Sequence, residues 1–330
     1  MNRQRFFALA RVAIAVVVLA AVVYAVVRNW ADVSVHLGQI SWGTFALSTL
    51  AAAVGTGLTM LGWRVVLSDL GSELHLAPAS GVYFVGQLGK YLPGSLWSVL
   101  VQADMARRLG VPRRRTAVAG FLAIGFALMA GGLIGLPAAS LLLSSRSQGA
   151  GDSGGFDWWV LLAMPIIAVL CVPRLLNAII AAGLRLLRRA PLEHALSGRA
   201  VVRTVVVMAL AWTAFGVHIL LLARAVSSDG LLHPGLTVAA MSGYALSVSL
   251  GMLTVVLPAG LGAREGLLTL VLATAVPTPA AAAVAITSRF IVTIVDVVAA
   301  LAGWLYARSH HLIADRQAAR DRDVTDDVPV

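Results

Sequence analysis

Two apolar stretches of the chain are each interrupted by glycine, proline and charge, and these interruptions constrain the fold more than any other feature. The first reads Gly-Gln-Leu-Gly-Lys-Tyr-Leu-Pro-Gly-Ser over residues 86–95, and its Lys90 is the only lysine in the sequence. The second reads Leu-Pro-Ala-Gly-Leu-Gly-Ala-Arg-Glu-Gly over residues 257–266. Non-helical backbone at membrane depth is tolerated only where it is buried in protein or lines a wet cavity. Paired broken segments of this kind therefore indicate a substrate site in a membrane carrier.

Composition places the chain among integral membrane proteins. It is 59% hydrophobic and 12% charged, with a mean hydropathy of +0.88, whereas soluble domains are about one quarter charged. The single cysteine, Cys171, excludes an intrachain disulfide, and no Cys or His spacing typical of a metal site is present. We therefore expect no cofactor, no metal and no separate soluble domain.

The net charge of +10 is explained by membrane topology rather than by a nucleic-acid partner. Most of the 25 Lys and Arg residues fall in the segments 1–11, 107–115, 174–203 and 308–322. This alternation along the chain follows the positive-inside rule, so residues 1–11 and the tail 307–330 are predicted to be cytoplasmic. The tail is short and mixed in charge, and we expect it to be disordered. No basic groove interleaved with aromatic residues indicates nucleic-acid binding.

Six apolar segments are about long enough to cross a bilayer, which takes roughly 20 residues in a helix. They are 12–27, 42–61, 116–143, 158–172, 204–223 and 281–306. The first segment follows a basic start and lacks a clear cleavage site, so we interpret it as an uncleaved signal anchor. Together the segments predict a single transmembrane domain over residues 12–306.

The interrupted stretches, 82–102 and 239–276, do not fit as simple spans. Proline removes a backbone donor, and glycine adds freedom that a continuous helix would lose. We predict that each stretch is a re-entrant hairpin of two half-helices that meet at a non-helical tip. The result is an all-α polytopic membrane protein whose halves form an inverted-topology repeat. If both arms of the second stretch cross fully, six spans become eight, and both counts stay open.

The segment 175–190 alternates apolar residues with Arg185, Arg188 and Arg189. This pattern predicts a helix that lies on the inner leaflet and is held there by anionic headgroups. An ordinary basic connecting loop accounts for the same pattern equally well, so both interpretations stay open at this point.

Five ionisable residues lie inside the apolar segments, where insertion of each costs a few kcal/mol and indicates a functional site. They are Lys90, Arg264, Glu265, Arg289 and Asp296. A structural alternative is that Arg264 and Glu265 form a pair that caps the half-helix beginning near Ala263. A second structural alternative is that Arg289 and Asp296, which share one face of a helix, bond to the non-helical backbone of a hairpin. Half-helix N-termini and glycine-rich backbone attract anions. Three of the five charged residues are positive and two are negative, so the site should favour an anionic headgroup.

Three strings carry a family resemblance: Gly-Lys-Tyr-Leu-Pro-Gly at 89–94, Pro-Ala-Gly-Leu-Gly-Ala-Arg-Glu-Gly at 258–266, and Ser-Arg at 288–289. On these strings the chain resembles the lysylphosphatidylglycerol synthase transmembrane-region family, which includes the flippase module of the multiple peptide resistance factors. The resemblance covers about residues 12–306 and implies a module with re-entrant helices that moves lipids between leaflets. The transport residues it implies, with Asp296 added for its depth, are Lys90, Pro93, Gly94, Pro258, Gly260, Gly262, Arg264, Glu265 and Arg289.

We hypothesise that the chain is a lipid translocase of the cell membrane and not an enzyme, with an anionic phospholipid or a polyprenyl-phosphate-linked lipid as cargo. The sequence lacks the soluble aminoacyl-transfer domain, so we expect a stand-alone member that transfers no lysine. One alternative is an integral membrane glycosyltransferase, although the first outer loop, 28–41, offers only Asp32 and no paired carboxylate for acid–base catalysis. Another is a non-transporting partner of an envelope-biosynthesis complex, docked through the basic faces 107–115 and 185–203.

Overall fold

A computed structural model of the chain describes residues 30–91, 97–147, 169, 171–227, 234–253, 260 and 262–309. Within these ranges all regular secondary structure is helical, which confirms the predicted all-α class. Ten α-helices and one 3-10 helix, Leu88–Tyr91, are present there. The α-helices are α1 Trp30–Gly38, α2 Trp42–Asp69, α3 Leu76–Gln87, α4 Trp97–Arg107, α5 Arg113–Ser147, α6 Pro173–Leu186, α7 Gly198–Ala225, α8 Pro234–Leu253, α9 Ala263–Leu272 and α10 Thr278–Ser309.

Five of these helices are long and apolar enough to cross a membrane, namely α2, α5, α7, α8 and α10. Four of them contain the predicted spans 42–61, 116–143, 204–223 and 281–306. The predicted span 12–27 lies outside the described residues, as does nearly all of 158–172. α10 runs through Ser309, so the first three residues of the predicted tail, 307–309, are helical instead.

The pair α2 and α7 forms the centre of the helix packing. Both helices begin at a serine N-cap: the Ser41 hydroxyl accepts from the Thr44 N–H at 3.1 Å, and Ser197 does the same for Ala200 at 3.2 Å. Small residues then bring the two helices close, since a Cβ added at Gly55 would lie 3.0 Å from the Phe215 ring. The long helices α5 and α10 contact both members of the pair and α8 contacts α7, whereas the shorter α3 and α9 pack on α10.

The first interrupted stretch consists of two short helices joined through the 3-10 helix. α3 is about 18 Å long and α4 about 16 Å long, so neither alone crosses a hydrocarbon core of about 30 Å. The 3-10 helix packs closely on the start of α4, because a Cβ at Gly89 would lie 2.6 Å from the Ser98 backbone nitrogen. α3 begins at Leu76, six residues before the predicted boundary, and the tip residues Pro93 and Gly94 lie outside the described residues.

The second interrupted stretch has unequal arms. α8 is 20 residues long and reaches spanning length, whereas α9 has only 10 residues. Between them Gly260 and Gly262 adopt positive φ angles of 66° and 83°, which other residues rarely adopt. The break predicted from the sequence is therefore present, but its first arm is longer than a half-helix. Pro258 lies outside the described residues.

The predicted interfacial segment 175–190 contains a helix with different ends. α6 begins at Pro173 and stops at Leu186, because Arg188 takes a positive φ of 52° and its neighbour Arg189 donates its N–H to the Leu184 carbonyl at 2.8 Å. Ile179 and Leu186 are exposed on its surface. A helix is therefore favoured over a loop, while its location on the inner leaflet stays a prediction.

Ion pairs and hydrogen bonds link the ends of several helices at one end of the bundle. We call this region the Arg-rich end. Arg113 pairs with Asp104, so α4 ends beside the start of α5. Arg115 Nη1 donates to the Gly71 carbonyl at 2.7 Å, and the Ser197 N–H donates to Asp69 Oδ2 at 2.7 Å. The ends of α2 and α4 and the starts of α5 and α7 therefore lie at one end of the bundle.

The contact between α5 and α8 gives a stability prediction. A Cβ at Gly135 would lie 2.9 Å from the Leu246 backbone, whereas a Cβ at Gly132, one turn earlier, meets nothing within 4 Å. We expect Gly135→Ala to lower the free energy of unfolding by about 1–3 kcal/mol through overpacking. The matched variant Gly132→Ala should raise the free energy of unfolding by less than about 1 kcal/mol, because alanine has a higher helix propensity than glycine. Thermal unfolding in detergent measures both, and equal midpoints for the two variants would contradict this packing.

Candidate functional site

Two charged residues on α10 organise the site. Arg289 and Asp296 are seven residues apart, which puts them on the same side of the helix two turns from each other. Asp296 is only 4% exposed. A buried carboxylate is costly unless it is paired and hydrogen-bonded, so the local structure around α10 must supply its partners.

The first interrupted stretch supplies the partners of Asp296. Lys90 Nζ lies 2.7 Å from Asp296 Oδ2, and the Tyr91 hydroxyl donates to the same oxygen at 2.6 Å. Both donors belong to the 3-10 helix that follows α3. The Lys90 side chain keeps one third of its surface exposed.

The second interrupted stretch supplies the partner of Arg289. Arg289 Nη1 lies 3.5 Å from Glu265 Oε1, while Glu265 Oε2 accepts from the Gly262 N–H at 2.7 Å. Glu265 therefore caps the N-terminus of α9, as the structural alternative required. Its ion-pair partner among the described residues is Arg289 rather than Arg264, its neighbour in the sequence.

Arg264 contacts an aromatic residue instead. Its guanidinium donates to the hydroxyl of Tyr244 on α8 and lies 4.7 Å from the centre of the same ring. Tyr91 has a similar role in the other stretch, with the Arg289 guanidinium 5.7 Å and the Lys90 ammonium 5.5 Å from its ring centre. The two tyrosines thus hold three cations in place without neutralising them.

A cavity of about 320 Å³ lies between the two interrupted stretches. Lys90 and Tyr91 line it from the first stretch, Gly260 and Arg264 from the second, and Arg289 and Asp296 from α10. The remaining wall is largely apolar or aromatic and includes Trp63, Tyr83, Phe121, Trp212, Phe215 and Tyr244. Charged groups from both stretches and from α10 therefore share one cavity, whose remaining wall is mostly apolar with a few Thr, Ser and Gln side chains.

The formal charge of this cluster is positive. Lys90, Arg264 and Arg289 carry three positive charges, and Asp296 and Glu265 carry two negative ones. Each carboxylate already has a cationic partner, at 2.7 Å for Asp296 and 3.5 Å for Glu265. Because Arg264 is held by a neutral tyrosine, the surplus charge is available to attract an anion.

The structure brings together all five charged residues predicted from the sequence. Of the predicted glycines, Gly260 lines the cavity and Gly262 donates to Glu265. Tyr244 and Tyr91 were not among the predicted site residues, although Tyr91 lies within the first motif. Tyrosine inside an apolar segment is a weak signal, because aromatic residues are frequent in cores for packing alone.

Helices of spanning length, two interrupted stretches and a charged internal cavity define a multi-pass α-helical membrane protein with a buried polar site. The chain belongs to the lysylphosphatidylglycerol synthase TM region family, whose sequence profile matches residues 9–300. This family is a membrane domain associated with lipid flippase-like function. No curated protein matches the chain.

The Lys90–Asp296 contact gives a prediction for coupled substitution. Asp296→Asn leaves the Lys90 ammonium without its counter-charge, so we expect the free energy of unfolding to fall by about 1–3 kcal/mol. The loss is smaller than for a fully buried pair because Lys90 is partly exposed. Lys90→Met should cost a similar amount, and the double variant should cost less than the sum of the two. Thermal or denaturant unfolding in detergent measures all three.

The control is the exposed pair Arg113–Asp104 at the Arg-rich end, where both side chains are about half exposed. Asp104→Asn should change stability by no more than about 1 kcal/mol. If the effects of Lys90→Met and Asp296→Asn simply add, the contact contributes no coupling energy and the proposed role of the pair is wrong.

Proposed function

We propose that this protein is a lipid translocase that moves an anionic lipid between the leaflets of the cell membrane. The observation that carries the proposal is that both interrupted stretches contact the same helix, α10. Lys90 and Tyr91 reach Asp296, and Glu265 reaches Arg289, on either side of a cavity. Ionisable groups at membrane depth mark substrate pathways, and broken helices in carriers bind substrate at the midplane.

The proposal includes a re-entrant hairpin for the first stretch. Gly71, shortly before α3, and Asp104, near the end of α4, both bond to the start of α5 at the Arg-rich end. A chain that leaves and returns to the same end through two helices too short to cross favours a hairpin over a span.

The second stretch is proposed to approach from the opposite end, as an inverted repeat requires. α7 begins at the Arg-rich end and is long enough to cross, so α8 follows it from the far end. Lys90, just after α3, contacts Asp296, and Gly81, in the middle of α3, packs against Gly303, so α10 runs antiparallel to α3 and its end returns toward the Arg-rich end. With the positive-inside rule, this end and both termini are proposed to be cytoplasmic.

An anionic headgroup suits the cavity on charge and shape. A phosphodiester needs hydrogen-bond donors, and Lys90, Arg264 and Arg289 offer charged ones. The apolar wall suits the glycerol backbone or the first carbons of the chains, so either a phospholipid or a polyprenyl-phosphate-linked lipid fits. The proposed cargo is moved without covalent change, and the expected partners are membrane lipids.

Ion pairs within the cavity suggest how a headgroup is held and released. In the absence of cargo, Asp296 neutralises Lys90 and Glu265 neutralises Arg289. A phosphate that enters between them competes for the same cations, so binding loosens the contacts that join each interrupted stretch to α10. Rocking of the two halves about α10 would then open the cavity to alternate leaflets.

A reconstitution experiment tests the proposed function. Full-length protein is placed in liposomes with acyl-labelled lipids: phosphatidylglycerol, phosphatidylcholine and a polyprenyl phosphate. Quenching of the outer leaflet then reports exchange. We expect at least one anionic lipid to exchange on the order of tenfold faster than in protein-free liposomes. Arg264→Gln should lower this rate on the order of tenfold, because a charge-assisted bond to the phosphate is lost.

The matched control is Arg203→Gln, which removes the same charge from an exposed position on α7 near the Arg-rich end. It should leave the exchange rate within about twofold of the unaltered protein, since exposed charges away from the site act weakly. Exchange of no anionic lipid above background would refute the proposed function. Co-purification of a stoichiometric envelope-biosynthesis partner, with no loss of function in Arg264→Gln, is the outcome that the non-transporting alternative predicts.

A further inference from the structure

Three buried polar residues on three different helices bond to one another beside the cavity. His218 on α7 is 0% exposed, with its Nδ1 at 2.6 Å from the Ser48 hydroxyl on α2 and its Nε2 at 2.9 Å from the Ser288 hydroxyl on α10. Ser48 and Ser288 are buried as completely as the histidine. A hydroxyl donates or accepts, so each ring nitrogen has a partner in either tautomer. We call these three residues the His218 layer.

The His218 layer lies on the side of the cavity that faces away from the Arg-rich end. On α7 it lies about one turn beyond Phe215, and on α10 it directly precedes Arg289, both of which line the cavity. On α2 it lies about two turns before Thr56, the first residue of that helix to line the cavity. α2 ends at the Arg-rich end and α7 begins there. The layer therefore lies between the cavity and the far end of the bundle.

The layer also contacts the residues that hold two of the cavity cations. The His218 ring meets the Tyr244 ring edge to face, with 6.1 Å between ring centres, and the Tyr244 hydroxyl accepts from Arg264. Ser288 is the residue before Arg289 on α10. Separation of the helices at the layer therefore moves the supports of both arginines.

A polar layer costs more to bury in a membrane protein than an apolar one. Neighbouring core positions on the same helices are apolar and 0% exposed, namely Ala52 on α2, Ile219 and Leu222 on α7 and Ile291 on α10. An apolar layer would also exclude water, but it could not be hydrated favourably once the helices separate. Serine and histidine can exchange their mutual bonds for bonds to water or to a phosphate. The polar composition thus favours a closure that opens over a permanent one.

We propose that the His218 layer is the gate through which the headgroup passes between the cavity and the far leaflet. The inference rests on the proposed function. In the closed state the three residues bond to one another across α2, α7 and α10. In the open state these helices separate at the level of the layer, and the hydroxyls and the imidazole bond to water or to the passing phosphate.

Thiol accessibility reports the state of the gate without any cargo. Cys171 is the only cysteine in the sequence, so Cys171→Ser combined with Thr56→Cys gives a parent protein with one thiol at the cavity wall. The Thr56 hydroxyl donates within its own helix, to the Ala52 carbonyl at 2.9 Å, so this substitution is mild. A membrane-impermeant anionic methanethiosulfonate reagent is added to one side at a time of sealed membrane vesicles that contain the full-length protein.

Two changes to the layer should act in opposite directions. Ser288→Ala leaves His218 Nε2 unpaired while the gate is closed, so the labelling rate from the far side should rise roughly fivefold to thirtyfold. The triple variant Ser48→Ala, His218→Leu, Ser288→Ala leaves no polar side chain in the layer. Its opening exposes apolar surface to water, so the same rate should fall about fivefold below that of the parent. A network that serves stability alone would not produce this fall.

The matched control is Ser247→Ala on α8. Ser247 is also 0% exposed, but its hydroxyl donates to the Tyr244 carbonyl of the same helix at 3.0 Å. The far-side rate should stay within about twofold of the parent, since the bond that is lost lies within one helix. A variant that is loosened as a whole would label faster from both sides, so the rate from the Arg-rich side distinguishes misfolding from gating.

The outcomes separate this inference from the function beneath it. Equal far-side rates in the parent, Ser288→Ala and the triple variant would overturn the gate and leave lipid translocation standing. Faster labelling of both variants from both sides would overturn it as well, because that is the result of a purely structural network. Exchange of no anionic lipid in liposomes would remove the proposed function, and the inference with it.

Discussion

The buried charges of α10 are the constraint on which the rest of the structure depends. Asp296 is 4% exposed, and a carboxylate at that depth requires a counter-charge and a second donor. Lys90 and Tyr91 meet this need only if the chain breaks at the end of α3 and turns toward α10. Arg289, two turns away, imposes the same demand on the second stretch and is met by Glu265. One helix thus fixes both interruptions.

The cavity follows from these two contacts. Each interrupted stretch is held to α10 at its break, and a cavity of about 320 Å³ lies between the two stretches. Positive φ at Gly260 and Gly262 lets the second stretch reverse, and Glu265 satisfies the backbone N–H exposed at the start of α9. The elements that make the fold possible therefore also place cations around one space. In a membrane such groups are costly, which favours a functional reason for keeping them.

Much of this arrangement could be predicted from sequence. Hydropathy gave four long helices, and the spacing of Arg289 and Asp296 gave their common face, because a helix repeats every 3.6 residues. The pairing could not be predicted in the same way. Arg264 and Glu265 are adjacent and suggested a pair, yet neighbouring residues on a helix point about 100° apart. They consequently reach different elements, Tyr244 on α8 and Arg289 on α10.

The most direct test is an experimental density map of the full-length protein in a lipid nanodisc that contains phosphatidylglycerol. The account predicts that Lys90 and Glu265 both contact α10, through Asp296 and Arg289. It also predicts a headgroup phosphate within about 3 Å of Lys90, Arg264 or Arg289. A map in which Asp296 faces acyl chains, or in which the two interrupted stretches lie apart with no space between them, would contradict the account.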